Sequence, residues 1–299
     1  MAVPLALLAA LLFAVGIVFQ QKADMDESDE AARSPGLLLR LLRRPVWLFG
    51  VGSNLLGFVA QAAALGVGRL VIVQPLQVTS VVFALPLGAR FTGQRIGRRE
   101  IAGAVAVTAG LAAFVGLSNP TGGRADAPFH EWAVAGAVCG GAALVLSAVG
   151  FGRRPGLKAA LLGTAAGILF GLVAALTKAT VDRLDDGIVA FLFDWHLYAL
   201  IGVTIPAFWL TQASLQTGAL APAIATSMAF DPVASLLLGL LLFDERLTHS
   251  PVRRVILGVS LLIALAGLVV LSFARERAEQ AVPEAPPKAA LLGPDAADG

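Results

Sequence analysis

Charge is what this sequence has least of. Asp, Glu, Lys and Arg make up 14% of its 299 residues, where a soluble domain carries roughly 25%. So few charges cannot clothe a chain of this length in water, and a soluble globular fold is excluded. Cysteine is nearly absent as well. Cys139 stands alone, so no internal disulfide can form. The three histidines, His130, His196 and His249, fall near the ends of apolar runs. Asp194 lies two residues from His196, but without further ligands beside them no metal site is expected. H-E-x-x-H, G-x-S-x-G and Walker-type glycine loops are all missing, which argues against zinc-dependent proteolysis and ATP-driven work. The expectation is a protein that is not an enzyme and needs no cofactor. A formal net charge of +2 is no nucleic-acid footprint, and no such partner is expected.

What is abundant is hydrocarbon. Hydrophobic residues reach 57% and mean hydropathy is +0.81. A helix crossing a ~30 Å hydrocarbon core needs about 20 apolar residues. Nine runs qualify: 3–21, 46–65, 70–90, 100–117, 131–150, 159–179, 196–217, 222–243 and 255–273. The lipid bilayer is therefore the first partner. The first run has no Lys or Arg ahead of it, unlike a cleaved signal peptide, and is read as a retained span. Residues 187–195 are apolar but too short to cross; they extend the seventh helix or lie at the interface. After the first run come an acidic cluster from Asp24 to Glu30 and then Leu37–Leu42 among Arg40, Arg43 and Arg44. That pattern suits either an interfacial amphipathic helix or a solvated loop. The proline-bearing tail from Ala274 reads as disordered.

Basic residues set the orientation. Fifteen fall on the side of the first loop and the C-terminal tail, and seven on the other: Arg69, Arg124, Lys178, Arg183, Arg246, Arg253 and Arg254. The positive-inside rule then places the C-terminus in the cytoplasm and the N-terminus outside a plasma (bacterial inner) membrane. Arginine outnumbers lysine 18 to 4, as a GC-rich bacterial genome would encode.

The chain also repeats itself. Gln61-Ala62 lies 151 residues before Gln212-Ala213, and the same offset carries Gln94-Arg95-Ile96 onto Glu245-Arg246-Leu247. Leu12-Phe13-Ala14, ending at Lys22, resembles Leu169-Phe170-Gly171, ending at Lys178. Residues 1–117 and 159–273 thus read as two four-span copies, with one spacer span in 118–158 and a tail, 274–299. A single spacer helix inverts the second copy, the arrangement of many secondary transporters.

Asp231 is the one ionisable residue near the middle of a span. A carboxylate there costs ~2.5–3.5 kcal/mol on insertion scales and is expected to face the bundle interior. Pro232 beside it is expected to break the helix. Lys22 and Lys178 are placed at mouths of a pathway or snorkelling to headgroups. Asn54, Gln61, Gln74, Gln77 and Gln212 add amides that either bond neighbouring helices or touch a solute. Gly163, Gly167 and Gly171, and Gly136 with Gly140, are expected at close helix contacts, within the chain or between two copies in a homodimer.

Asp231-Pro232, Leu236-Leu237-Leu238-Gly239 and Asp244-Glu245-Arg246-Leu247 resemble the drug/metabolite transporter superfamily (EamA-like). Within it, Lys22, Pro75, Gly152-Arg153-Arg154-Pro155-Gly156 and Lys178 make the chain most similar to the NIPA-type magnesium transporters. The resemblance runs over residues 3–273. It implies an all-α polytopic fold and secondary transport of a small molecule or ion by alternating access. The chain departs from the pattern in having nine spans where ten are usual, and in carrying Ser80-Val81 where the first copy would hold its acidic-Pro pair. Three readings result: a small-solute carrier, a magnesium or other divalent cation transporter using Asp231, and a non-transporting scaffold subunit.

Overall fold

In the computed structural model the described residues are 1–25, 44–92, 96–248 and 250–280. Most of the Asp24–Glu30 cluster, the Leu37–Leu42 segment, Gln94-Arg95 and His249 lie outside them. The helices are α1 (Ala2–Met25), α2 (Pro45–Val67), α3 (Leu70–Gln77), α4 (Thr79–Phe91), α5 (Arg98–Leu117), α6 (Phe129–Gly150), α7 (Pro155–Asp182), α8 (Ile188–Phe193), α9 (Trp195–Leu215), α10 (Leu220–Leu242) and α11 (Pro251–Gln280). Among the described residues, nine helical segments are long and apolar enough to cross a membrane, with α3 and α4 together forming the third. Each falls on a run read from the sequence. Large apolar side chains line the outside of the bundle, with Leu144 74% and Trp209 66% exposed. Around a water-soluble protein such a surface would aggregate; in lipid it is the solvated face.

One boundary differs from the sequence reading, and one open alternative is narrowed. α11 continues to Gln280 instead of stopping near Ala274, because Arg-Glu-Arg-Ala-Glu-Gln are good helix formers. Residues 188–193 form a separate helix, α8, whose Ile188, Val189 and Phe193 are exposed. It is cut from α9 at Asp194, whose side chain accepts the His196 N–H and caps the next helix.

Packing is pairwise. α1 lies against α2 and α4, while α7 lies against α10, α9 and α6. α5 runs along α11, and α3 crosses onto α10. The α7–α10 contact is a glycine seam. A Cβ on Gly163 would sit 2.4 Å from Thr226 Oγ1, on Gly167 2.5 Å from Ser227 O, and on Gly171 2.5 Å from Ala234 Cβ. α5 and α11 meet the same way, a Cβ on Gly110 falling 2.6 Å from Ser260 O. Gly136 and Gly140 are different. A Cβ on either meets nothing within 4 Å, so neither makes a close helix contact inside the chain. α6 turns Trp132, Cys139 and Ala143 inward instead.

The seam yields a stability test. Gly167→Val should lower the unfolding midpoint in mild detergent by the cost of overpacking, about 1–3 kcal/mol. Gly136→Val should leave it within about 0.5 kcal/mol. Equal effects at the two positions would show that the seam does not carry the α7–α10 contact.

Candidate functional site

Two depths of the bundle concentrate its polar groups. The first is one end, where α2 turns into α3. α2 stops at Gly68 and α3 begins at Leu70, so last-turn carbonyls and first-turn N–H groups face each other across a two-residue turn. In lipid these orphans need partners. They find them on the far half of the chain. Lys178 Nζ donates to Leu65 O at 3.2 Å and Gly68 O at 3.1 Å. Glu245 Oε1 and Oε2 accept the N–H groups of Leu70 and Val71, both at 3.0 Å. A cation caps a helix C-terminus and an anion caps the next N-terminus, each with the favourable sign for the helix dipole. Lys178 is 8% and Glu245 2% exposed. Lys178 also lies 3.7 Å from Asp182 and over the Phe243 ring. Burial pushes the Glu245 carboxyl above its ordinary range, partly offset by the two N–H donors and the charges of Lys178 and Arg69.

Around this latch the same end is stitched shut. The strands β1 (Thr121–Gly122) and β2 (Glu245–Arg246) pair antiparallel, Arg69 donates to Gly122 O, and Arg124 bonds Leu242 O and Glu131. His196 is fully buried, its Nδ1 2.5 Å from Asp194 and its Nε2 3.2 Å from Asp126. Arg183 bridges the same two carboxylates at 3.2 and 2.8 Å. Asp126 and Arg183 were not singled out in the sequence; only the Asp194–His196 spacing hinted at this cluster. No group of three or more His, Cys, Asp or Glu side chains suited to a metal ion occurs among the described residues.

The second depth is the middle. Pro75 has no N–H to give Val71 O, and the Thr79 hydroxyl donates to Leu76 O at 2.6 Å. The third span is interrupted there by a single tightened turn at Val78, between α3 and α4, with Val78 N–H donating to Pro75 O and the backbone staying helical. The break expected at Pro232 is not found: α10 runs unbroken from Leu220 to Leu242, held along the glycine seam. Asp231 sits midway, half-buried, with Ser235 Oγ donating to its Oδ1 at 3.2 Å. Contacts register α3 on α10. Val71 meets Gly239, and Val78 packs in a cluster with Met228 and Ala229. Gln74 and Gln77 therefore lie at the depth of Ser235 and Asp231. Gln74 is 2% exposed. Its Nε2, and both Nε2 and Oε1 of Gln77, are buried without a hydrogen-bond partner. Each such group costs about 1–3 kcal/mol.

The other sequence candidates scatter. Gln61 lies six residues before the end of α2, in its latched-end third. Gln212 lies three residues before the opposite end of α9 and is exposed. The two therefore cannot hold one solute. Asn54 is seated in the notch left by Gly16, a contact between α1 and α2, with its Oδ1 buried and unpartnered. Lys22 lies at the unlatched end, 5.8 Å from the Phe91 ring.

Cavities flank the middle. Outside the latch, a 620 Å³ vestibule has Ile72, Lys178 and Glu245 in its floor. At the other end a 340 Å³ cavity lies between the halves, running from Gln21, Leu220 and Ser272 up to Ser80 and Met228. Met228 is less than one helical turn from Asp231.

The chain is 31% identical over 277 residues to an uncharacterized protein of Corynebacterium glutamicum, a match covering 91% of this chain and 94% of that one. It belongs to that protein's family. The shared length takes in nearly all of both chains. No family model matches the chain, and no solved structure does.

Lys178→Met should lower the unfolding midpoint by the loss of two charge-assisted bonds, each about 1.5–3 kcal/mol. Asp182→Asn, breaking only a partly exposed pair, should cost within about 1 kcal/mol. An unchanged midpoint in Lys178→Met would mean that the α2–α3 turn is held by something else.

Proposed function

We propose that this chain is a secondary transporter that moves a small solute across the plasma (bacterial inner) membrane by alternating access. Its two four-span halves are inverted copies, in the manner of the EamA-like drug/metabolite transporter superfamily. The observation that carries the reading is a polar midplane, Asp231 with the interrupted third span, closed toward one face and approached by a cavity from the other. A discontinuous helix at a repeat interface is where carriers bind their solutes.

The inverted repeat draws support from matched details at opposite ends. Lys22 lies over Phe91 at 5.8 Å and Lys178 over Phe243 at 5.5 Å. The first helix of each half packs on the second and third of its own half. The seven basic residues of the poorer side include Arg69, Arg124, Lys178 and Arg183, which gather at the latched end. By the positive-inside rule that end faces outward. The state described is then closed outside and open toward the cytoplasm, with the N-terminus outside and the C-terminus inside. Opening the outer face requires Lys178 and Glu245 to leave the α2–α3 turn.

Asp231 is the principal binding or coupling group. Asp231→Asn should abolish solute uptake while the protein still inserts at wild-type level, measured as flux against membrane abundance. Full uptake by that variant would remove Asp231 from the mechanism. Reporters fused to the two ends should read opposite sides of the membrane, and both on one side would break the inverted layout.

A further inference from the structure

One side of the bundle carries a groove that its own helices leave open. α6 packs on α7 and touches α10 only lightly. Between α6 and α10 runs a cleft of 780 Å³ with Ile168 of α7 in its floor, a volume that suits a small amphiphile. Val134, Val138 and Ala142 form one wall, and Phe230, Leu237 and Leu241 the other. They recur every three to four residues or in multiples of that step, so each wall is one face of its helix. Both walls open outward, with Val138 64% and Leu241 70% exposed.

The two ends of the groove differ. At the latched end its lining is charged and polar: Arg124, His130, Glu131 and Asp244. Beyond them it is apolar as far as Ala142 on α6 and Phe230 on α10. About twelve residues of helix at 1.5 Å each make a run of about 18 Å, a little over half of a ~30 Å hydrocarbon core. The groove thus starts among charges at one membrane surface and stops near the bilayer centre.

That shape selects among occupants. A spanning helix of a second copy crosses the whole bilayer and has no use for a groove that ends halfway. A lipid of one leaflet fits, its acyl chain along the apolar run and its headgroup at the mouth. The mouth is mixed in sign. Arg124 is paired with Glu131 and donates to Leu242 O, while His130 and Asp244 are exposed. A headgroup of net negative charge would meet the Glu131 and Asp244 carboxylates there. One that carries both phosphate and ammonium finds Arg124 and His130 for the first and the two carboxylates for the second.

We propose that the α6–α10 groove holds one phospholipid of the leaflet at the latched face, with a zwitterionic, amine-bearing headgroup of the phosphatidylethanolamine class. The proposal is independent of the transport reading, since it uses neither Asp231 nor a solute path.

The test uses the full chain, purified in mild detergent, stripped of lipid and titrated with dioleoylphosphatidylethanolamine or dioleoylphosphatidylglycerol. Native mass spectrometry counts the lipid retained, and thermal unfolding reads its effect. One phosphatidylethanolamine per chain should be retained and should raise the midpoint by mass action. Phosphatidylglycerol should bind about two- to fivefold more weakly, the worth of an exposed charge contact. Val138→Trp and Val134→Trp fill the groove from exposed positions. Each should lose the bound lipid and the shift while leaving the lipid-free midpoint unchanged. Val145→Trp, on an exposed part of α6 outside the groove, should keep both. Asp244→Asn keeps a residue suited to the positive φ at that position; it should erase the headgroup preference and keep the lipid.

Failure to retain lipid overturns the proposal, as does equal or tighter binding of phosphatidylglycerol. So do groove-filled variants that bind like the wild type. A dimer that falls apart in Val138→Trp would put a second copy of the chain in the groove and overturn it too.

Discussion

The bundle depends on how one turn is satisfied. Between α2 and α3 the backbone turns with acceptors and donors buried inside the bundle, and both sets are met from the other half of the chain, by Lys178 and Glu245. A hydrophobic contact between helices contributes little in lipid, since the tails are as apolar as leucine. Charge-assisted bonds to backbone orphans are different, because nothing in the hydrocarbon can replace them. This one turn thus adds a polar tie between halves that also meet where α5 runs along α11 and α3 crosses α10. It ties them at one end only.

Away from the latch the halves are held unequally. α7 and α10 approach through Gly163, Gly167 and Gly171 so closely that no side chain fits between, and α5 and α11 do the same through Gly103, Gly110 and Gly267. These pairs are closely packed. α3 lies between them, short and interrupted at Val78, with buried amides that no neighbour answers. Close packing and unmet polarity sit side by side. That combination suits a site whose strain is relieved by a ligand, and it stands one helical turn from a cavity open to the unlatched end.

Much of this was legible in the sequence because membranes impose few alternatives. Twenty apolar residues make a span, and all nine runs fell on helical segments long and apolar enough to cross a membrane. A mid-span carboxylate is rare enough that Asp231 announced itself by cost alone. Lys178 drew notice through its counterpart Lys22, though its partners, two carbonyls more than a hundred residues away, could not be read. Glu245 was visible as part of a repeated motif and invisible as a cap.

Length and hydropathy by themselves determined the number of spans, their order, and which polar residues would have to be explained. Tertiary structure alone decided which explanation each receives. Gln61 and Gln212 share a motif and lie toward opposite ends of the bundle. Pro75 accompanies a tightened turn between two helices and Pro232 does not; Gly167 is packed and Gly136 is open. The physical reason is that lipid treats every face of a helix alike. Hydrophobic periodicity, which in water marks the inward side, is nearly silent here, so the partner of each residue is settled only when the helices meet.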